Sequence, residues 1–318
     1  MKKIYMCENP NDIKRVYGTN EKFYNRGYVL KNPDEFQDTE YIFSSWGMSE
    51  FTAEEIKACL PNLKCVFYGA GSVQYFARPF LECGVKVFSA WAANAVPVAE
   101  YTVAQIILAS KGFFKTMRFK DKDAAKEEYK KYPGNYNIKV GIIGAGMIGS
   151  LVIKMLKQYK IDVLVFDPFL SDKKANELGV SKVDLDTLFS QCQVVSNHLA
   201  NNEQTKGMLK GALFEKMLPN ATFLNTGRGA QVVEKDLINV LKMRPDIVAI
   251  LDVTDPEPPL PDSELYTLNN CILTPHIAGS SGNEVHRMGE YMLEEYEHFI
   301  KGEPCKYEVT LEMLKTMA

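Results

Sequence analysis

The sequence lacks the features of nucleic-acid-binding and membrane proteins. Its 318 residues carry 37 Lys and Arg against 40 Asp and Glu, a net charge of −3 without a basic stripe, which argues against nucleic acid as a partner. No apolar run reaches the ~18 residues that span a bilayer, and the first residues lack the apolar core of a signal peptide. We therefore expect a cytoplasmic protein that does not enter a membrane.

The sequence also lacks a disulfide or zinc framework. Its seven cysteines are odd in number, scattered and without a C-x-x-C pair, so no disulfide and no metal site is predicted. Most of them are expected to be small core residues. The length exceeds the ~100–200 residues of a usual domain, so two domains are expected.

A glycine-rich turn organises the chain. A predicted strand from 138 to 143 runs into Gly144, Gly146 and Gly149 at G-x-G-x-x-G spacing, and apolar residues then recur at helical intervals. Gly144 would allow the tight turn, Gly146 the approach of a pyrophosphate to the backbone, and Gly149 close packing of the helix on the strand. This pattern predicts half of a dinucleotide-binding βαβ unit.

A second predicted strand, 161 to 166, leads to Asp167, which lies 167 − 144 = 23 residues after Gly144. A carboxylate there would accept hydrogen bonds from a ribose and repel the 2′-phosphate of NADP, so NAD is the expected cofactor. The alternative is a glycine-rich turn in another α/β protein, with Asp167 an ordinary strand-end residue. The complete order of strand, turn, helix, strand and acid favours the dinucleotide site.

Four further apolar runs complete a predicted six-stranded, doubly wound sheet: Val194 to Asn197, Thr222 to Asn225, Ile247 to Leu251 and Cys271 to Thr274. Ligands of such sheets bind beyond the carboxyl ends of the strands, where Arg228, Glu257 and His276 lie. A cation for an anionic substrate, a carboxylate and a proton donor are what hydride transfer to a keto acid requires. Taken singly, each residue also has a non-functional explanation: Arg228 could form a surface ion pair, Glu257 could be a loop charge, and His276 could be a capped loop histidine.

The chain before residue 95 predicts a second α/β unit with four parallel strands: Lys3 to Cys7, Tyr41 to Ser44, Lys64 to Tyr68 and Val85 to Phe88. A helix is expected from Ser72 to Cys83, directly after Gly69-Ala-Gly71. Amides at such a helix start bind a carboxylate or phosphate, although a plain turn explains the glycines equally well.

Three other features of this part of the chain have structural consequences. A capping box at Thr52 and Glu55 marks a helix start. Trp46 and Tyr68 follow or end strands, where they either wall a pocket or are simply buried. A long helix is expected to begin near Asn94 and to continue to about 117.

These motifs in this order resemble the D-isomer-specific 2-hydroxyacid dehydrogenase family: Gly69-Ala-Gly71, Asn94 to Glu100, the glycine turn with Asp167, Thr226-Gly-Arg228-Gly, Asp252 to Glu257, and Thr274-Pro-His276. The resemblance covers nearly the whole chain. It implies an α/β fold of two doubly wound parallel-sheet domains, in which a Rossmann NAD-binding domain (96–282) is inserted into a flavodoxin-like substrate domain (1–95 plus 283–318). It also implies a homodimer.

The resemblance further implies roles for individual residues. Arg228 would bind the substrate, His276 would be the acid/base, and Glu257 would hydrogen-bond its imidazole. Amides near Gly71 and Ser72 would take the substrate carboxylate. The implied cofactor site comprises Gly144, Gly146, Met147, Ile148, Gly149, Asp167, Ala200, Thr205, Thr226, Gly227, Asp252, His276 and Gly279.

The expected activity is reversible hydride transfer between NAD(H) and a pair of 2-oxo acid and D-2-hydroxy acid. Alternatives are a phosphoglycerate dehydrogenase or glyoxylate/hydroxypyruvate reductase and, from a different class, an NAD-sensing co-regulator with little turnover. The chain departs from the family after His198, where Leu-Pro and then threonine are usual and this chain has Leu199-Ala200-Asn201. It departs again at Ser72-Val-Gln-Tyr75, which replaces the more usual aspartate-containing continuation. These departures concern the cofactor loop and the substrate pocket.

Overall fold

The computed structural model describes residues 2–315, which form two compact α/β units. The first unit comprises the chain up to Asn94 and from Ser280 onward, and the second is Ala95–Gly279. The sequence had placed the two boundaries at 95/96 and at 282/283. The second unit is therefore one continuous insertion into the first.

The elements of the N-terminal part are short and alternate between strand and helix. The strands are β1 (Lys2–Met6), β2 (Phe23–Tyr24), β3 (Thr39–Ser44), β4 (Cys65–Tyr68) and β5 (Lys86–Ser89). The helices are α1 (Pro10–Tyr17), α2 (Arg26–Lys31), α3 (Ala53–Cys59) and α4 (Ala77–Glu82). The predicted capping box starts α3: Glu55 N donates to Thr52 Oγ1 over 3.2 Å, and Thr52 N donates to Glu55 Oε2 over 3.0 Å.

The middle of the chain supplies seven strands among the described residues, β6 (Ile138–Ile143), β7 (Ile161–Phe166), β8 (Ser181–Lys182), β9 (Val194–Asn197), β10 (Thr222–Asn225), β11 (Val248–Leu251) and β12 (Cys271–Leu273). Its helices are α5 (Trp91–Ala109), α6 (Phe113–Thr116), α7 (Lys122–Tyr129), α8 (Met147–Leu156), α9 (Asp172–Leu178), α10 (Leu185–Gln191), α11 (Gly211–Phe214) and α12 (Glu234–Met243). Helix α13 (Glu284–Lys301) and strand β13 (Glu308–Val309) follow and belong to the first unit.

The sheet of the first unit has the strand order β2-β1-β3-β4-β5-β13. All neighbours are parallel except β13, which pairs antiparallel with β5 through Val309 and Val87. Without β13 the order is that of a flavodoxin-like doubly wound sheet. Strand β2 was not predicted, because two residues are too short to show an apolar run.

The sheet of the second unit has the order β8-β7-β6-β9-β10-β11-β12, and every pair is parallel. This is the dinucleotide-binding order with one further strand, and its direction reverses between β6 and β9. The prediction of a doubly wound sheet is confirmed. The short strand β8 was missed because Ser181 and Lys182 are both exposed and carry no apolar signal.

Alternate residues of each central strand face opposite cores, which is why the strands read as continuous apolar runs. In β4, Val66 packs in one cluster of the first unit and Phe67 in the other. In β10, Phe223 and Leu224 likewise contribute to the two clusters of the second unit. Five of the seven free cysteines are buried, as expected.

Two predicted helix starts are wrong. Helix α4 begins at Ala77 rather than Ser72, because Val73 and Phe76 are buried and the chain between them forms a turn, with Ala77 N donating to Val73 O over 3.0 Å. Helix α5 begins at Trp91 rather than Asn94, since the alanine-rich stretch before Pro97 favours helix.

The predicted end of α5 near residue 117 is also wrong. The helix ends at Ala109, and Gly112 follows with φ 70°, a left-handed conformation that interrupts a helix. A Cβ at Gly112 would lie 2.4 Å from the ring of Tyr132. Close packing of that ring therefore separates α5 from α6.

Helix α5 corrects the expectation about apolar runs. Among the described residues it is the one helix long and apolar enough to cross a membrane by length and composition, with a mean hydropathy of 1.2 over its best window. Half of that window is buried inside the protein, and buried core helices meet the same criterion.

Candidate active site

The glycine turn joins β6 to α8 in the second unit, as predicted. Gly144 adopts φ 90°, and its N–H donates to Phe166 O over 2.8 Å. A Cβ at Gly149 would lie 2.0 Å from Gly144 O, so only glycine permits this close packing. A Cβ at Gly146, by contrast, would meet nothing within 4 Å, which leaves open space beside the backbone at the start of α8.

This geometry fits a dinucleotide. The open side of Gly146 allows a pyrophosphate to approach the amides at the N-terminus of α8, where the helix dipole favours negative charge. Of the other residues predicted here, Met147 is exposed and Ile148 is half-buried.

Asp167 lies directly after β7, beside the glycine turn. Its Oδ2 accepts a hydrogen bond from Ala145 N over 2.7 Å, and its Oδ1 accepts one from Phe169 N over 2.8 Å. These bonds hold the carboxylate against the turn. Each oxygen keeps a further lone pair for a ribose hydroxyl, so the position suits the predicted role.

His276 and Glu257 lie in hydrogen-bond contact, although 19 residues separate them in the chain. His276 Nδ1 is 2.7 Å from Glu257 Oε1, and both side chains are exposed. No described residue hydrogen-bonds the other ring nitrogen, Nε2. A carboxylate that accepts from Nδ1–H fixes the tautomer and the orientation of the imidazole, so that Nε2 is the nitrogen left for a substrate.

Asp252 holds the loop that carries His276. The buried carboxylate accepts from Thr274 Oγ1 (2.6 Å), Ile277 N (2.9 Å) and Ala278 N (2.9 Å). Asp252 O also accepts from His276 N over 3.0 Å. His276 itself has φ 55°, a sparsely populated conformation that a loop constrained on both sides can maintain.

Arg228 follows β10 and is half-buried. Its Nη1 donates to Gly227 O over 2.7 Å. Burial lowers the pKa of Arg228, while the charge of Glu257 raises it, and the guanidinium stays cationic near neutral pH. A Cβ at Gly229 would lie 2.0 Å from the backbone of Thr254, so this glycine lets the arginine segment pack against the loop after β11.

The loop after β9 contains the departure at Ala200. Thr205 folds back on it: its Oγ1 donates to Ala200 O over 2.7 Å and contacts Asn202 O at 3.1 Å. The predicted cofactor residue Thr205 is therefore buried and already engaged within its own loop. Gly279, also predicted, is partly exposed.

His198 follows β9 directly and is buried. Its Nε2 contacts Ser196 Oγ at 2.9 Å, and its Nδ1 contacts Thr226 Oγ1 at 3.3 Å. Burial lowers the pKa of His198 to about 3, so the ring is neutral at ordinary pH. The predicted cofactor residue Thr226 thus contributes its hydroxyl to a buried network, which Thr102 Oγ1 extends over 3.3 Å.

The sequence analysis missed a group of buried amide side chains at the ends of β9 and β10. Asn197 Nδ2 donates to Asn225 Oδ1 over 3.0 Å and to Gln231 Oε1 over 2.6 Å. Asn225 Oδ1 also accepts from Gly227 N over 3.1 Å. The sequence feature that could have indicated this group is the asparagine that ends each of the two strands, Asn197 in β9 and Asn225 in β10.

Gly71 and Ser72 belong to the first unit, whereas Arg228, Glu257 and His276 belong to the second. The Gly69-Ala-Gly71 segment is held by Ser89 Oγ, which donates to Gly71 O over 2.6 Å. Gly71 and Ser72 precede α4 by several residues, so the expected helix N-terminus at their amides is absent among the described residues. Tyr68, considered as a pocket wall, is instead buried with its hydroxyl 3.3 Å from that of Tyr75.

A cavity of about 290 Å³ lies elsewhere in the second unit, at the amino ends of β6 and β7 and beside Gly179 and Ser181. The glycine turn and His276 follow the carboxyl ends of their strands. The cavity is therefore distinct from the candidate site. Within the described residues no group of three or more His, Cys, Asp and Glu side chains could hold a metal ion.

Comparison with known protein families shows which family the chain belongs to. The model of the D-isomer specific 2-hydroxyacid dehydrogenase, NAD binding domain, matches residues 103–278, which is 278 − 103 + 1 = 176 of 318 residues. The chain belongs to the D-isomer-specific 2-hydroxyacid dehydrogenase family. Its second unit is the NAD-binding domain of that family, and NAD is its cofactor.

Among curated family members, the chain is 32% identical over 262 residues to a D-3-phosphoglycerate dehydrogenase of Archaeoglobus fulgidus, covering 81% of this chain and 49% of that protein. It is 28% identical over 230 residues to the D-3-phosphoglycerate dehydrogenase of Synechocystis sp., covering 72% of this chain and 41% of that protein. The chain thus spans about half the length of the curated relatives it matches.

Solved structures of the family share the fold. D-mandelate dehydrogenase of Rhodotorula graminis superposes with a TM-score of 0.78 at 19% identity, covering 96% of this chain and 97% of that one. At this identity the likeness supports the fold alone.

Proposed function

We propose that this protein is an NAD-dependent D-2-hydroxyacid dehydrogenase, an oxidoreductase that acts on the CH–OH group of a 2-hydroxy acid and works reversibly. The observation that carries the proposal is the hydrogen bond between His276 Nδ1 and Glu257 Oε1, at 2.7 Å. It lies in the same unit as the NAD-binding glycine turn and Arg228. These are the groups that proton-coupled hydride transfer to a keto acid requires.

His276 acts as the acid/base in this proposal. In the reductive direction His276 donates its Nε2 proton to the keto oxygen, while Glu257 accepts a hydrogen bond from Nδ1–H and holds the ring in place. In the oxidative direction neutral Nε2 accepts the hydroxyl proton. Bound NADH supplies the hydride, and NAD⁺ accepts it in the reverse reaction.

Arg228 binds the substrate anion. A planar guanidinium can hold a carboxylate and the adjacent keto oxygen with parallel N–H donors, which a point charge cannot do. Gly227 O engages Nη1, leaving the remaining donors for substrate. The substrate-binding role expected of the Gly71 and Ser72 backbone stays a prediction.

Members of this class differ in the side chain of the 2-hydroxy acid that they accept, so more than one substrate is a candidate. The D-3-phosphoglycerate dehydrogenases among the relatives favour a phosphoglycerate-type substrate as the second candidate, alongside a glyoxylate or hydroxypyruvate pair. Purified protein should be assayed by the loss of NADH absorbance against pyruvate, glyoxylate, hydroxypyruvate, phosphohydroxypyruvate, and branched and aromatic 2-oxo acids. Turnover of any of them supports the proposal and ranks the candidates.

Tight NADH binding without turnover across this panel would contradict the dehydrogenase proposal. That result would instead favour the second class of function, a binding protein that senses NAD.

We further propose a cytoplasmic homodimer. All seven cysteines are free thiols, as expected in a reducing compartment. Four large apolar side chains between residues 108 and 119 are exposed in the second unit: Leu108, Phe113, Met117 and Phe119. Several exposed apolar side chains in one short segment are a feature of protein interfaces.

A further inference from the structure

Gln231 is a buried amide at the edge of the candidate site. It ends the short 3₁₀ turn Gly229–Gln231 that follows Arg228, and its exposed fraction is 0%. Burying an amide is unfavourable unless its hydrogen-bonding groups are satisfied. The hydrogen-bond partners of Gln231 therefore indicate which segments the side chain holds together.

The Nε2 group of Gln231 donates to two consecutive carbonyls, Leu199 O at 2.8 Å and Ala200 O at 2.9 Å. Its Oε1 accepts from Asn197 Nδ2 at 2.6 Å and from Arg228 N at 3.3 Å. One side chain thus joins the loop after β9 to the segment after β10. Both ends of the amide are used, so its orientation is determined by the contacts.

The loop that Gln231 holds lies against the glycine turn. A Cβ at Gly144 would lie 2.9 Å from His198 O and 3.1 Å from Leu199 N. A shift of the Leu199–Ala200 backbone would therefore change the wall of the pyrophosphate site. Because Gln231 Oε1 also accepts from Arg228 N, a shift that moves Gln231 would also move the backbone of Arg228, whose guanidinium is proposed to bind substrate.

We propose that Gln231 is a positioning residue that fixes the Leu199–Ala200 backbone beside the dinucleotide turn and keeps it in register with Arg228. This inference rests on the proposed dehydrogenase function and adds to it a residue that touches neither reacting atom. The loop has alanine rather than proline at position 200, so no ring restrains its backbone there. Gln231 supplies from the side the restraint that a proline ring would supply from within.

The test is the variant Gln231→Met, which keeps the length and packing of the side chain but removes both donors and the acceptor. We expect NADH to bind about tenfold more weakly, measured by NADH fluorescence, because two hydrogen bonds of the loop are lost. Hydrogen exchange should become faster across residues 199–205. The KM for the 2-oxo acid should rise by a larger factor than kcat falls.

Gln193→Met is the matched control. Gln193 Nε2 donates to one backbone carbonyl, Asn220 O, over 2.8 Å, before the start of β9 and away from the loop. This variant should keep the NADH affinity and the exchange rates of residues 199–205. If Gln231→Met does not fold, Gln231→Asn replaces it, because its shorter amide remains polar but no longer reaches both carbonyls.

Equal NADH affinity and loop exchange in the Gln231 and Gln193 variants would overturn the inference, even if both lower the unfolding temperature. A wild-type protein that turns over no 2-oxo acid would overturn the proposed function. In that case NADH affinity and loop exchange, which need no turnover, still decide whether Gln231 positions the cofactor loop.

Discussion

At the scale of single residues, the proposed chemistry depends on the imidazole of His276. His276→Ala should lower kcat for 2-oxo acid reduction by about 10²–10⁴-fold, because the keto oxygen loses its proton donor. NADH affinity should stay within about twofold, since the glycine turn is unchanged. Steady-state kinetics and NADH fluorescence measure the two quantities. Unchanged turnover would remove His276 from its proposed role.

Glu257 should have a smaller effect than its partner. Glu257→Gln keeps a side-chain oxygen within reach of His276 Nδ1 but replaces the carboxylate, which lies 2.7 Å from that nitrogen, by a neutral and weaker acceptor. We expect kcat for 2-oxo acid reduction to fall by about tenfold, less than in His276→Ala, because the imidazole is held less firmly but is still present. Steady-state kinetics measure the change, and a kcat equal to that of the wild type would contradict the assignment.

The buried His198 should make the stability of the protein depend on pH. Burial lowers its pKa from 6.5 to about 3, so between these values the unfolded chain binds a proton that the folded protein excludes. The free energy of unfolding of the second unit should consequently fall as the pH decreases through this window, with a slope of at most about 1.4 kcal/mol per pH unit. Above pH 6.5 this contribution is constant.

The measurement is urea unfolding of wild type and of His198→Gln at about pH 7 and at about pH 5. The variant lacks the titrating ring, so its loss of stability between the two pH values should be smaller. The same loss in both proteins would show that other groups cause the acid sensitivity.

At the scale of an element, two glycines of the β6–α8 turn have different roles: Gly149 allows close packing of the helix, and Gly146 leaves space for the pyrophosphate. Alanine substitutions should distinguish the two roles. Gly149→Ala places a Cβ 2.0 Å from Gly144 O, so the helix must move; we expect the unfolding temperature to drop by about 5 °C or more. Gly146→Ala meets no atom within 4 Å and has φ −65°. It should fold normally but lose most NADH affinity.

Differential scanning fluorimetry and NADH titration report both effects. Full NADH affinity in Gly146→Ala would contradict the assignment of that open space to the pyrophosphate.

At the scale of the whole molecule, the proposed homodimer predicts that charge on the exposed apolar segment disrupts association. Phe113 and Met117 are 41% and 62% exposed, so Phe113→Glu/Met117→Glu should not disturb the core of a monomer. Light scattering after size exclusion should change from the dimer mass to the monomer mass. The matched control is Tyr159→Glu, which charges a 41% exposed aromatic elsewhere in the unit. A monomeric wild type would contradict the proposal.

Much of the second unit could be predicted from local sequence. Strands β6, β7, β9 and β10 have the expected bounds, because parallel strands buried on both faces are continuous apolar runs. The motif glycines were identified by their G-x-G-x-x-G spacing, and the structure shows a close approach that a side chain would obstruct at Gly144 and Gly149. Strands β2 and β8 were missed, since two-residue edge strands are stabilised by pairing with a neighbour and carry no pattern of their own.

The sequence by itself determined the doubly wound units, the dinucleotide turn with Asp167, and the strand ends at which Arg228, Glu257 and His276 lie. Those features depend on the period and spacing of neighbouring residues. Only the tertiary structure decided that α4 begins after Phe76, that Asp252 holds the His276 loop, and that Gln231 joins two strand ends. The contacts by which Asp252 holds the His276 loop and Gln231 joins the strand ends span 22 to 34 positions of the chain, and the start of α4 depends on the burial of Val73 and Phe76 in the core. No local pattern encodes either.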